Sequence, residues 1–352
     1  MDLRYLVSPI SHLPLEPIAP DLLQEVDGPE TFPVVEGIPI LLPPGYIADW
    51  YDECLEIVFQ ERTVEIMRKI ASRDYERWSR GLNKVLGKEY GRDGIRASIE
   101  KYSKLSREEQ LRGFARIGKP GRESVPFISE DALRSRRRLS DMDYSQSHID
   151  RMRQMMRSWA IHIPNYVTAV FESEPKVIVE LGTGAGMGTN ALIETGLRSA
   201  RLITTDMDYA CLGNAEGLAK CYCLEDQVDG IVASFWYMPF ADNSIDVVCS
   251  HYGVDESRVT SRVIEEVARV LAPDGRFTAV VRSDGSFRLL RFLDQFGFRQ
   301  EELREMAVRA DIYPGTERLI EIAEGAGLAL EKRQTITPEG SHERDILVFR
   351  KQ

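Results

Sequence analysis

The sequence predicts an α/β fold built on a doubly wound, mostly parallel sheet, and three observations carry that expectation. From about residue 165 onward, short runs rich in β-branched residues alternate with amphipathic stretches of helical length. One junction in that alternation, VIVELGTGAGMGT (177–189), sets four glycines at alternate positions directly after a strand-like run. In an open α/β sheet such a strand-to-helix turn is where ligands meet the backbone. The composition is globular as well: 352 residues, 43% hydrophobic and 29% charged, allow a sizeable core and more than one domain.

The elements follow in chain order. Residues 1–45 hold proline-punctuated apolar runs, PISHLPLEPIAP and FPVVEGIPILLPP, which predict a small β-rich unit. Residues 46–160 change texture. WYDECLEIVFQERTVEIMRKI spaces its apolar residues for a helix, and ERWSRGLNKVL, SREEQLRGFARI and SQSHIDRMRQMMRSWAIHI continue the pattern around a turn-rich break at 118–127. This region is expected to be a helical cap or a dimerisation element. The third region, 161–352, begins with the helix in WAIHIPNYVTAVF. It then alternates KVIVEL, NALIETGL, ARLITTD, ACLGNAEGLAK, IDVVCSH, VIEEVARVL and RFTAVVR. FRLLRFLDQFGFRQEELREM reads as inserted helices, and LALEKRQTI and RDILVFRK supply two last strands. No internal repeat is evident.

Charge and cysteine usage narrow the function classes. A net charge of −11 argues against a broad nucleic-acid footprint, while a local patch such as RSRRRLSDMD (134–143) remains compatible with it. No run of about 18 apolar residues exists, and the first residues lack the apolar core of a secretion signal. The five cysteines, with no CxxC, fit reduced thiols in a cytoplasm. No metal site is expected, since Cys221 and Cys223 have no second pair.

At the glycine turn, a Cβ would block close approach of a ligand to the backbone, and free N–H groups there can hold an anionic group. The dinucleotide fingerprint GxGxxG is not met, because its third slot falls on Met187 or Thr189. Glu180, just before the glycines, suits a ligand carrying an ammonium group rather than a pyrophosphate.

Together these segments resemble the class I S-adenosylmethionine-dependent methyltransferases over roughly 165–352. VELGTGAG resembles the family's acidic-x-Gly-x-Gly-x-Gly motif, and LITTDMD its acidic second-strand end. ASFWYMPFADNSIDVVCSH resembles the third and fourth motifs, and EVARVLAPDGRFTAVV the helix, turn and fifth strand. The likeness is greatest to the branch containing ubiquinone-type C-methyltransferases and many small-molecule enzymes. It implies a Rossmann-like seven-stranded sheet ending in an antiparallel hairpin, with S-adenosylmethionine as cofactor. It further implies that Gly182, Thr183, Gly184 and Gly186 line the methionine part, with Glu180 near its amino group. Asp206 and Met207 would lie at the ribose, Ser234, Phe235 and Trp236 at the adenine, and Ser250 at the cofactor from the fourth strand. Ser234 departs from the pattern, since the family usually has an aspartate there. Phe235 and Trp236 can equally serve as core packing.

Methyl transfer from a sulfonium needs alignment and a dry cavity, and a base only when the acceptor must lose a proton. His251 is the candidate base, with Tyr252 beside it and Asp255 further on. His162 and Tyr166, four apart on one helix face, are candidate substrate contacts. Each of these can instead be structural. Phe287, Phe292 and Phe298 are candidate substrate-wall residues. CSHYG lacks the Asn/Asp-Pro-Pro-aromatic signature used on exocyclic nitrogens, which points away from DNA-adenine or glutamine methylation.

The tail FPVVEGIPILL resembles a small zinc-ribbon family that accompanies methyltransferases. Ser8 and Ser11 stand where its first cysteines would be, so the unit is expected to be a metal-free relic. The leading expectation is a cytoplasmic methyltransferase acting on a small molecule. The alternatives are an RNA methyltransferase, which the ribbon-like start motivates, and a non-catalytic cofactor-binding or scaffold protein.

Overall fold

The computed structural model describes residues 3–43, 130–142, 161–256, 260–283, 315–337 and 343–352. Most of the expected helical region, the inserted helices and Phe287, Phe292 and Phe298 lie outside these residues. The described strands are β1 (Leu15–Ala19), β2 (Leu22–Glu25), β3 (Thr31–Val35), β4 (Ile38–Leu41), β5 (Val177–Leu181) and β6 (Arg201–Asp206). They continue as β7 (Val228–Ala233), β8 (Ile245–His251), β9 (Leu271–Arg282), β10 (Leu328–Ile336) and β11 (Arg344–Lys351). The helices are α1 (Glu130–Ser140), α2 (Ile163–Phe171), α3 (Met187–Ile193), α4 (Leu212–Cys221), α5 (Thr260–Val270) and α6 (Thr316–Gly325).

All these strands join one sheet, in the order β1-β2-β3-β4-β7-β6-β5-β8-β9-β11-β10. Strands β7, β6, β5, β8 and β9 run parallel, while β11 and β10 are antiparallel to their neighbours. The sequence expectation was seven strands; among the described residues the sheet has eleven. The additional four come from the N-terminus, where β4 pairs in parallel with β7 through Ile40↔Val232 and Leu41↔Ala233. The N-terminal strands therefore share one sheet with the strands that begin at β5. Met1–Tyr46 forms one compact unit with Pro126–Gly285 and Gly315–Gln352, and Ile47–Val125 with Ser286–Pro314 forms another.

Strand β5 is buried at all five positions, as a central parallel strand covered on both faces must be. Tyr166 and Phe171 of α2 and Leu192 and Ile193 of α3 pack with Ile178, Leu202 and Cys249 in one core. A second core joins the N-terminal strands to the sheet: Ile38, Ile40 and Leu42 with Tyr209, Leu212 and Val232.

A polar clasp closes the same seam. Buried Arg136 reaches Glu36 Oε2 at 2.5 Å, the Tyr209 hydroxyl at 3.0 Å and Glu216 Oε2 at 2.7 Å, and Arg137 also pairs with Glu36. Residues ahead of β1 bond to the segment after β7, with Val7 N donating to Pro239 O at 3.0 Å and Ala241 N to Tyr5 O at 2.9 Å. Ser8 and Ser11 are knitted by hydrogen bonds. Ser8 Oγ accepts from the N–H groups of Ile10 and Ser11, and Ser11 Oγ donates to Glu25 Oε1 at 2.6 Å. Burial would raise the Glu25 carboxyl, but hydrogen bonds from the Ser11 and Ser8 hydroxyls and the Glu30 N–H hold it below the usual range.

Candidate functional site

The turn after β5 is bound to the end of β6. Thr205 O accepts from Gly182 N and Thr183 N at 2.9 and 3.0 Å, and Asp206 Oδ2 accepts from Gly184 N at 2.8 Å. Asn214 of α4 donates to Gly184 O at 2.8 Å. The four glycines then divide by role. At Gly184, with φ +49°, an added Cβ would meet nothing within 4 Å, so this position opens onto free space. At Gly188 a Cβ would lie 2.6 Å from Glu180 Oε1 and 2.8 Å from His251 Cβ, so that glycine exists for packing. A Cβ on Gly186 would press on Asn214 at 3.1 Å, and one on Gly182 would sit 3.3 Å from the Phe235 ring and 3.4 Å from Gly253 Cα. Of the alternating glycines, Gly184 is the one that leaves room for a ligand.

Glu180 forms the buried floor beneath the turn. Its Oε2 accepts from Thr189 Oγ1 at 2.6 Å and Thr204 Oγ1 at 2.8 Å, whereas its Oε1 is buried with no hydrogen-bond partner. Burial is the main cause that raises its pKa to about 7, and the two threonine hydroxyls oppose that rise. An acceptor left without a partner in this way carries a free-energy cost until a donor arrives. Asp206, at the end of β6, also accepts from Asp208 N through Oδ1 at 2.8 Å. Its pKa is raised to about 6, chiefly by burial, though an edge of the residue stays exposed. With the Met207 N–H as a further backbone donor, three N–H groups bind this carboxylate and a lone pair is left over for an outside hydroxyl. Met207 lies beside it, half-buried.

Other residues singled out in the sequence are brought here but used by the protein itself. Ser250 Oγ donates to Leu181 O and accepts from Gly253 N and Val254 N, each at 3.1 Å. That fills the capacity of a hydroxyl, so Ser250 shapes the turn. Thr183 Oγ1 bonds to Thr204 Oγ1 and Thr205 O. Ser234 Oγ accepts from Trp236 N at 3.2 Å, and Phe235 and Trp236 are half-buried. Asp255 is fully buried and accepts from Arg282 N at 3.2 Å, which anchors the end of β9.

At the end of β8 an aromatic and imidazole group assembles. His162, immediately before α2, meets His251 Nε2 to Nε2 at 2.8 Å, with ring centroids 5.0 Å apart. Tyr166 lies 5.6 Å from the His251 ring and Tyr252 stands edge-on at 4.7 Å. Tyr252 adopts φ +66°, and the guanidinium groups of Arg282 and Arg344, a register pair on β9 and β11, each lie 5.6 Å from its ring. Burial lowers the His162 pKa to about 4, with a further contribution from the Arg344 charge. Burial, then the His162 charge, lowers His251 well below its ordinary value. Both rings are therefore neutral near pH 7.

Sequence reasoning missed Thr189, Thr204, Asn214, Arg282 and Arg344. Alternation along β6 puts Thr204 on the face shared with Asp206, a usable signal. The two arginines become neighbours only through β9–β11 pairing, which no local pattern marks.

Among the described residues no group of three or more His, Cys, Asp and Glu side chains is placed to hold a metal ion. None of their helices is long and apolar enough to cross a membrane.

The chain is similar to known proteins over part of its length. Residues 179–279 match the family model described as "Methyltransferase domain". The ubiquinone/menaquinone biosynthesis C-methyltransferase UbiE of Rubrivivax gelatinosus is 29% identical over 121 residues, 34% of this chain and 45% of that protein. UbiE of Brucella canis is 26% identical over 122 residues, with the same coverage. The chain thus spans about half the length of the curated relatives it matches. Among solved structures, the N-methyltransferase NodS of Bradyrhizobium japonicum aligns at TM-score 0.43 and 14% identity, covering 63% of this chain and 99% of that one. The geranyl diphosphate C-methyltransferase of Streptomyces coelicolor A3(2) aligns at TM-score 0.39 and 13% identity, covering 50% and 70%. Residues 179–279 thus match a methyltransferase domain, a match that supports S-adenosylmethionine as cofactor.

Proposed function

We propose that the protein transfers a methyl group from S-adenosylmethionine to a small-molecule acceptor by in-line displacement. The observations that carry this reading are the open backbone at Gly184 and, at the end of the preceding strand, the buried Glu180 with one oxygen unpartnered. Glu180 Oε1 is the acceptor an ammonium group would complete, and Asp206 keeps a lone pair for a ribose hydroxyl. The cofactor brings an electrophilic methyl group, so the chain's task is to bind, align and exclude water. Gly184 admits the methionine part, Gly182 and Gly186 shape the turn, and Phe235 and Trp236 flank the adenosine side. His251 and Tyr252, with His162 and Tyr166 behind them, face the acceptor. The matched relatives are named for C-methylation in quinone biosynthesis, which supports a small organic acceptor.

The N-terminal strands are read as a metal-free ribbon-like unit in which Ser8, Ser11 and Glu25 substitute hydrogen bonds for a metal. The RNA alternative keeps the ribbon-like start that motivates it, while in the basic run Arg136 and Arg137 are paired with Glu36.

Calorimetry with S-adenosylmethionine, S-adenosylhomocysteine and NAD tests the proposal. The two sulfur compounds should bind at micromolar concentration and NAD should not. Absence of heat from both sulfur compounds at millimolar concentration would sink it.

A further inference from the structure

We infer that His251 presents a neutral Nδ1–H donor to the methyl acceptor, with His162 as the positioning residue that fixes this tautomer, so that the acceptor is recognised through an oxygen. The inference rests on the methyl-transfer reading and departs from the expectation that His251 is a base. The two imidazoles meet Nε2 to Nε2 at 2.8 Å, so one proton lies between them and one ring must donate it. Both rings are deeply buried, His162 completely, which disfavours a second proton on the pair.

Two arrangements remain. In the first, His251 donates through Nε2, and His162 must then carry its own proton on Nδ1. That atom is buried and has no hydrogen-bond partner. In the second, His162 donates through Nε2 and leaves a bare lone pair on its Nδ1. Buried N–H groups without acceptors are the rarer defect in folded proteins, so the second arrangement is favoured. His251 then holds its proton on Nδ1. With Nε2 spent on His162, Nδ1 is the one ring nitrogen that His251 has for an outside group, and the residue keeps 9% of its surface exposed.

A neutral imidazole donor polarises or holds an oxygen without giving up its proton, as a lowered histidine pKa allows in other enzymes. The acceptor class this fits is an enolate, phenolate or carbonyl compound whose oxygen lies at Nδ1. Tyr252, edge-on to both histidines, keeps the rings in place.

The test is nitrogen NMR on the full chain labelled with 15N-histidine, using two-bond correlations that distinguish protonated from bare ring nitrogens. Assignment uses His162→Gln and His251→Gln. The expected spectrum has His251 as a neutral Nδ1–H ring and His162 as a neutral Nε2–H ring at pH 7. His162→Ala should turn the single His251 tautomer into a mixture, and His162→Gln, whose amide can donate, should restore it. A wild-type His251 protonated on Nε2 overturns the inference and returns the residue to the role of base. So does a His251 signal indifferent to His162→Ala. If that variant fails to fold, the wild-type tautomer decides alone. Failure of the methyl-transfer reading shows separately, as absence of S-adenosylhomocysteine binding by the wild-type chain.

Discussion

Replacing Glu180 with glutamine removes one charge from the floor of the glycine turn while keeping its shape, and it should move stability and binding in opposite directions. In the free protein burial lifts the Glu180 pKa from 4.5 to about 7. Holding the ionised form therefore costs about 3 kcal/mol relative to the unfolded chain, as an upper figure. The sign follows from the direction of the shift. A carboxyl raised on folding favours the folded state below pH 4.5 and loses that contribution as pH rises through about 7. At pH 8 the Glu180→Gln variant, whose amide still accepts from Thr189 and Thr204, should melt several degrees higher than wild type, at about 2–4 °C per kcal/mol. Cofactor binding should go the other way. Loss of a charge-assisted bond to the ammonium group is worth about 1.5–3 kcal/mol, roughly 10–100-fold in Kd. Wild-type affinity should also weaken about tenfold between pH 8 and pH 6, because the ammonium needs the ionised carboxylate, whereas the variant should lose most of that dependence. Asp206, raised to about 6, supplies the residual slope. Differential scanning calorimetry and titration of S-adenosylhomocysteine from pH 6 to 8 read both effects. A variant that binds as well as wild type with the same pH slope would refute the assignment of Glu180 to the ammonium group.

Three further outcomes are expected. Gly184→Ala places a methyl group in open space at φ +49°. It should lower stability by about 1–2 kcal/mol through backbone strain and abolish measurable cofactor heat; retained binding would mean that the ligand lies elsewhere. Arg136→Ala strips the buried partner from Glu36 and Glu216 and should cost about 2–4 kcal/mol in denaturant unfolding, with Arg136→Lys recovering only part. Prolonged EDTA treatment should leave the melting temperature unchanged, since Ser8, Ser11 and Glu25 hold their loop through hydrogen bonds; a fall would reveal a structural metal.

Much of the parallel sheet could be read from the chain because its strands are continuous β-branched runs between helical repeats. VIVEL and RLITTD announce themselves by composition and by the glycine and acidic residues that end them. The sheet's extension could not, because FPVVEGIPILL says only that a strand exists and not that it lies beside Val232 and Ala233, roughly 190 residues later. In the site, Glu180, Gly184 and Asp206 were visible because each sits at a strand end where local pattern and geometry coincide. Ser250 was visible for the same reason, yet its hydroxyl closes a turn, a use that only coordinates reveal. The His162–His251 contact joins positions 89 residues apart and depends on the docking of α2 against the end of β8. No spacing rule reaches that far.

The pairing of β4 with β7 has a consequence for assembly. Were Ile40 and Leu41 elsewhere, β7 would offer a row of bare amide and carbonyl groups to any passing chain. The chain's own beginning occupies that row, which moves the sheet's margins out to β1 and β10. Both margins are poor templates: β1 is five residues long, carries Pro17 and shifts register between Pro17 and Ala19, and β10 shifts register beside Glu331, Lys332 and Arg333. A second copy of this chain would gain little by continuing the described sheet at either of these two strands.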